Sequence, residues 1–127
     1  MTPNDALAEL LSLSAQVRDV AILGESGLVL ASTGTVERGE QLARIAAELG
    51  AAAGDVRPGA ELSRIEVSSE GTDVFLVREG GRTAMATTAP DSIAGLVIYD
   101  LRTMLGRLDA EPAAPRPRKR KKASDDA

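Results

Sequence analysis

The chain has 127 residues and a formal net charge of −4, with no Cys, His or Trp, one Phe and one Tyr. That length suits a single domain. Without Cys or His there is no disulfide framework, thiol nucleophile, iron–sulfur cluster, thiolate or imidazole metal site, or Ser-His-Asp triad. Hydrophobic residues make up 43% of the chain and aromatic residues 2%, so Leu, Val, Ile and Ala must build the core.

The elements follow in order. Thr2 can cap a helix, Pro3 suits its first position and Asp5 favours its dipole. Leu7, Leu10, Leu11 and Ser14 then recur at i, i+3, i+4, i+7, which predicts a first helix from about Pro3 to Ala15. Residues 17–23 and 28–32 are β-rich runs joined by Gly24-Glu-Ser-Gly27, the pattern of a hairpin. The run Leu28–Ala31 is apolar on both parities and is expected to be covered on both faces. A second helix is predicted over about Glu37–Val56, with Leu42, Ile45, Ala46, Leu49, Ala52 and Ala53 on one largely small-residue face. Strands follow at 62–69, 73–78 and 83–88, separated by Glu70-Gly71 and by a Gly80-Gly81 hairpin turn. A third helix follows Pro90, capped by Asp91 or Ser92, with Ile93, Leu96, Val97, Leu101, Met104, Leu105 and Leu108 as its stripe.

The order αββαβββα predicts an α+β fold. It is an α/β/α sandwich in which a five-stranded antiparallel sheet carries helices on both faces. The domain is expected at 1–110. Beyond it, 111–127 has the Pro-rich, charged composition of a disordered tail.

The charge is divided along the same line. Residues 1–115 carry nine basic and 17 acidic residues, whereas 116–122 alone carry six basic ones, including every Lys. Arg116, Arg118, Lys119, Arg120, Lys121 and Lys122 form a candidate contact for a polyanion or an anionic membrane surface. No aromatic residue interleaves them, so base stacking is not supported. The absence of Cys fits a reducing cytoplasm, and the opening Met1-Thr-Pro-Asn-Asp5 lacks the basic n-region of a signal peptide. No apolar run reaches the roughly 18 residues of a membrane span. The expected location is cytoplasmic.

No chemical constellation emerges. Gly24-Glu-Ser-Gly27 lacks the spacing of a nucleophile elbow and has no His to activate Ser26. There is no phosphate-binding G-x-x-x-x-G-K-[ST] motif. The many carboxylates fall in no spacing suited to acid–base or metal work. No catalytic, cofactor-binding or metal-ligating residue is expected, and the chain reads as non-enzymatic. Pairing surfaces are better represented. The third strand follows a long crossover, alternates regularly and contains no Pro, so at a sheet edge it would pair with its copy in a second subunit. A homodimer contact is therefore expected through Leu42, Ile45, Ala46, Leu49, Ala52 and Ala53 of the second helix and Ser63, Ile65 and Val67 of the third strand.

Over about residues 4–108 the chain resembles the roadblock/dynein light chain family of small-GTPase regulators, in its bacterial branch. The resemblance rests on the element order, on residues 17–32 with the Glu25-Ser26-Gly27-Leu28 turn, and on residues 83–105. It implies a roadblock/profilin-like sandwich that dimerises through the second helix and third strand. It also implies a Ras-like small GTPase as partner, with Arg38 and Arg44 as candidate partner-facing residues. The alternatives are a scaffold that tethers a signalling complex without affecting GTP hydrolysis, and a small-ligand sensor domain. One Phe and no Trp supply a flavin or haem pocket poorly.

Overall fold

The structure, a computed structural model, describes residues 1–109. It contains α1 (Pro3–Leu13), β1 (Val17–Leu23), β2 (Val29–Ser32), α2 (Val36–Val56), β3 (Arg64–Ser69), β4 (Thr72–Glu79), β5 (Arg82–Thr88) and α3 (Ala94–Gly106). This is the predicted order. The strands form one sheet, β2-β1-β5-β4-β3, in which every neighbouring pair is antiparallel. The tail expected at 111–127, with its candidate polyanion contact, lies outside the described residues.

Local chemistry explains most boundaries. Thr2 Oγ1 accepts from the Asp5 amide at 3.2 Å and Thr35 Oγ1 from the Arg38 amide at 3.1 Å, so α1 and α2 each begin on a threonine cap. Gly80 and Gly81 have φ of 60° and 80°, the left-handed pair that a two-residue hairpin turn requires. α3 departs from expectation. Asp91 takes φ 68°, Ile93 is the cap residue, and no side chain caps from within the helix. The Ile93 amide instead donates to Gln16 Oε1 at 2.7 Å, while the Ser92 hydroxyl is engaged by Thr88 Oγ1 at 3.1 Å. At the other end of the α1–α3 pair, the Met1 amine meets Asp109 Oδ1 at 2.8 Å and the Arg107 carbonyl at 2.9 Å.

β5 is the central strand, and its alternation sorts the two cores. Ala84 and Ala86 face α1 and α3, joined there by Leu7, Leu10, Val20, Ile22, Phe75, Val77, Val97, Leu101 and Met104. Met85 points the other way, to Leu76, Ala21, Leu23 and the α2 residues Leu42 and Ala46. Small residues on the α3 side of β5 allow the close helix approach that the sequence suggests. Two expected features shift. β2 is an edge strand that lies between α1 and α2, but its cover is partial: Ala31 is buried, Val29 and Leu30 are half-buried, and Leu28 precedes it exposed. In the helical stripes Leu11, Ile93 and Leu96 lie exposed, while Ala6 and Ile98 are buried. The buried stripes of both helices are therefore rotated from the predicted ones, toward Ala6 in α1 and Ile98 in α3.

Candidate functional site

The two faces of the sheet are covered unequally. On one, α1 lies over β1 and β2 and α3 over β4 and β5. On the other, α2 is the single helix, and it packs on β2, β1 and β5. Its placement has a physical cause near its start. Arg38 reaches Asp19 Oδ2 on β1 at 2.9 Å, and Thr87 Oγ1 on β5 donates to the same oxygen at 3.2 Å. Gly39 lies so close to β2 that an added Cβ would sit 2.9 Å from Ser32 Cβ. The front of α2 is thus fixed over β1 and β2, and its 21 residues span about 31 Å. Farther along, Ala47, Ala51, Ala52 and Gly54 are exposed and Val56 is 86% exposed.

Cover on this face thins toward the β3 edge: Leu76 of β4 is fully buried in the α2-side core, while Val74 of β4 is only half-buried. Ile65 pairs with Leu76 and Val67 with Val74, and Leu76 and Val74 belong to the α2-side core, so Ile65 and Val67 point to the same side. Ile65 is half-buried and Val67 is 38% exposed. β3 is the sheet edge, with its outer row of N–H and C=O groups unpaired by any described strand. A shallow depression of about 430 Å³ lies between α2, the segment before β3 and β4, lined by Ala47, Gly50, Ala53, Leu62 and Arg78 among others.

The residues expected at a dimer contact fall into three groups. Leu42 and Ala46 are inside the protomer's own core and offer no surface to a second copy, which corrects the expectation for them. A helical stripe read from sequence is wider than the surface that remains after the helix has seated on its sheet. Ile45, Leu49 and Ile65 are half-buried at the margin of that core, and Ala53 is half-buried beside the depression next to α2. Ala52, Ser63 and Val67 are exposed, although Ser63 Oγ is held by Arg102 of α3 at 3.2 Å. Of the two arginines, Arg44 is exposed and makes no ion pair among the described residues. Arg38 is half-buried and engaged by Asp19 and by Gln41 Oε1 at 2.6 Å, so its first task is to anchor α2.

The sequence reading missed Arg78. It shares strand parity with Val74 and Leu76, which puts a guanidinium into the depression beside α2. Its Nε donates to Thr83 Oγ1 at 3.2 Å, and it makes no ion pair among the described residues. The available signal was a cation directly after the apolar run Val74–Val77.

An edge strand, an apolar half-face and a small-residue helix flank are features of a contact surface. Among the described residues no group of three or more carboxylates is placed to hold a metal ion, and no helix is long and apolar enough to cross a membrane. A depression of about 610 Å³ between α2, Gly24–Gly27 and Arg78 opens to solvent, unlike the enclosed pocket of a ligand sensor.

No protein-family model matches the sequence, and no curated protein matches it. Solved structures do share its fold. A Roadblock/LC7 domain from Streptomyces avermitilis superposes with a TM-score of 0.69 at 18% identity, covering 85% of this chain and 99% of that one. Myxococcus xanthus MglB gives a TM-score of 0.66 at 15% identity, covering 81% of each chain. An MglB with a tetrameric arrangement gives 0.64 at 15% identity, over 80% of this chain and 81% of that one. The roadblock fold implied by the sequence resemblance is the fold of this chain.

Proposed function

We propose that this chain is a non-enzymatic regulator or adaptor that acts as a homodimer in the cytoplasm and engages a Ras-like small GTPase. The observation that carries the reading is the thinly covered apolar strip of Val74, Ile65 and Val67 beside the open edge of β3. A two-fold axis beside β3 would pair the two edges into one continuous sheet and bring the small-residue flanks of two α2 helices together. Ile45, Leu49, Ala52, Ala53, Ile65 and Val67 form this contact. The shared fold with MglB, found in a tetrameric arrangement in one structure, supports self-association. The GTPase partner rests on the resemblance to the roadblock family, with exposed Arg44 as the candidate partner-facing cation.

Light scattering on the full chain at tens of micromolar (roughly, where an obligate dimer persists) should give twice the protomer mass, and Val67→Asp should give the protomer mass. A protomer mass for the unmodified chain would falsify the dimer. The GTPase role is tested by adding the chain to a Ras-like GTPase and following binding, nucleotide exchange and hydrolysis. A change in exchange or hydrolysis supports regulation. Binding without either favours a tether, and no binding removes the GTPase from the proposal.

A further inference from the structure

The outer side of the α1–α3 layer carries apolar surface that neither core uses. Leu13 is 69% exposed at the end of α1, and Ile93, Leu96 and Tyr99 are 64%, 46% and 67% exposed around the start of α3. These residues belong together in space. The Met1–Asp109 contact at one end and the Gln16–Ile93 contact at the other place α1 and α3 side by side and antiparallel. Leu13 and Asp100 line the same groove between the two helices. Positions 93, 96, 100 and 103 follow helical spacing, so Ile93 and Leu96 extend the α3 wall on which Asp100 and Thr103 face α1, with Tyr99 on its outer rim.

The unpaired charge around this groove is acidic, and Arg107, the cation that reaches it, is taken up by Glu9. Residues 2–17 and 89–101 contain Asp5, Glu9, Asp91 and Asp100 and no Lys or Arg. Glu9 is engaged by Arg107 at 2.6 Å, but Asp100 makes no ion pair among the described residues. Both walls are helices, and no unpaired strand backbone lies between them. A third helix packing its ridges into the groove therefore suits the site better than an added strand.

We infer that this groove docks an amphipathic helix of another protein, with an apolar face flanked by Lys or Arg. The apolar face covers Leu13, Ile93, Leu96 and Tyr99, and a flanking cation meets Asp100. The groove lies on the face of the sheet opposite the α2–β3 surface, so it can be filled whether or not the protomers pair.

Tyr99 is the only Tyr and the chain has no Trp, so intrinsic tyrosine emission reports this groove alone. The full chain is titrated with two synthetic helical peptides free of aromatic residues, identical in Leu spacing and flanked by Lys in one and by Glu in the other. The Lys peptide should change the emission saturably, and the Glu peptide should bind about tenfold or more weakly. Leu96→Lys, at an exposed position, should weaken the Lys peptide by about tenfold, and Ile93→Lys should do the same. Val67→Asp, across the sheet, should leave the titration unchanged, which separates this result from the dimer test. An equal response to both peptides, no response to either, or unaltered binding by both groove variants overturns the proposal. So does a change in Tyr99 emission, without peptide, when Arg116, Arg118, Lys119, Arg120, Lys121 and Lys122 are replaced by Glu, because the chain's own tail would then be the occupant.

Discussion

The sheet offers two faces built from the same strands, and the helices divide between them two to one. Where α1 and α3 lie side by side, the alternating residues of β1, β5 and β4 meet apolar partners and the face is closed. Under α2 the same alternation closes over β1, β5 and Leu76 of β4 but thins to half-buried Ile65 and exposed Val67. The open face is apolar surface in excess of what the protomer buries, and surface of that kind in a folded protein points to a partner.

Substitutions can break this contrast or sharpen it. The largest effect is expected from Leu101→Ala, at a fully buried position on the closed face, which should lower the unfolding free energy by about 2–5 kcal/mol in urea titration. Leu49→Ala removes the same atoms from the half-buried margin of α2 and should cost about 1 kcal/mol or less, read at sub-micromolar protein where a dimer contributes least. Equal losses for the two would mean that the faces are equally closed. Gly39→Ala should come between them at about 1–3 kcal/mol, since the new methyl meets Ser32 across the tightest approach of α2 to the sheet. Arg38→Ala should cost at most about 1 kcal/mol, because the Asp19 pair is roughly one-third exposed on each side. Smallest for the protomer is Val67→Ser, within about 0.5 kcal/mol in chemical unfolding. Its effect should fall instead on the dimer mass seen by light scattering.

The element order was readable because the determinants were local. Thr2 and Thr35 cap with their own side chains, and the Gly80-Gly81 turn needs only its own two φ angles. The edge position of β3 was readable from its alternation and its long crossover. What escaped depends on partners distant in sequence. The start of α3 could not be placed from Asp91 and Ser92, because the group that satisfies the Ile93 amide is Gln16, on the segment after α1. The α2 stripe could not be divided into core and contact residues before the seat of the helix was known, and that seat depends on Asp19 and Ser32. Arg78 became a groove residue only once α2 was placed beside β4.

The meeting of Met1 with Asp109 has a consequence for how the chain can be rewired. Two points 108 positions apart in sequence lie within one hydrogen bond, 2.8 Å, so once residues 110–127 are removed a short linker would join them without straining α1 or α3. The chain could then be opened instead in the exposed segment around Gly59, between α2 and β3. Such a circular permutant keeps every strand pairing but unties the two elements of the open face. If it still self-associates, the contact depends on how those elements lie on the sheet and not on the loop that joins them.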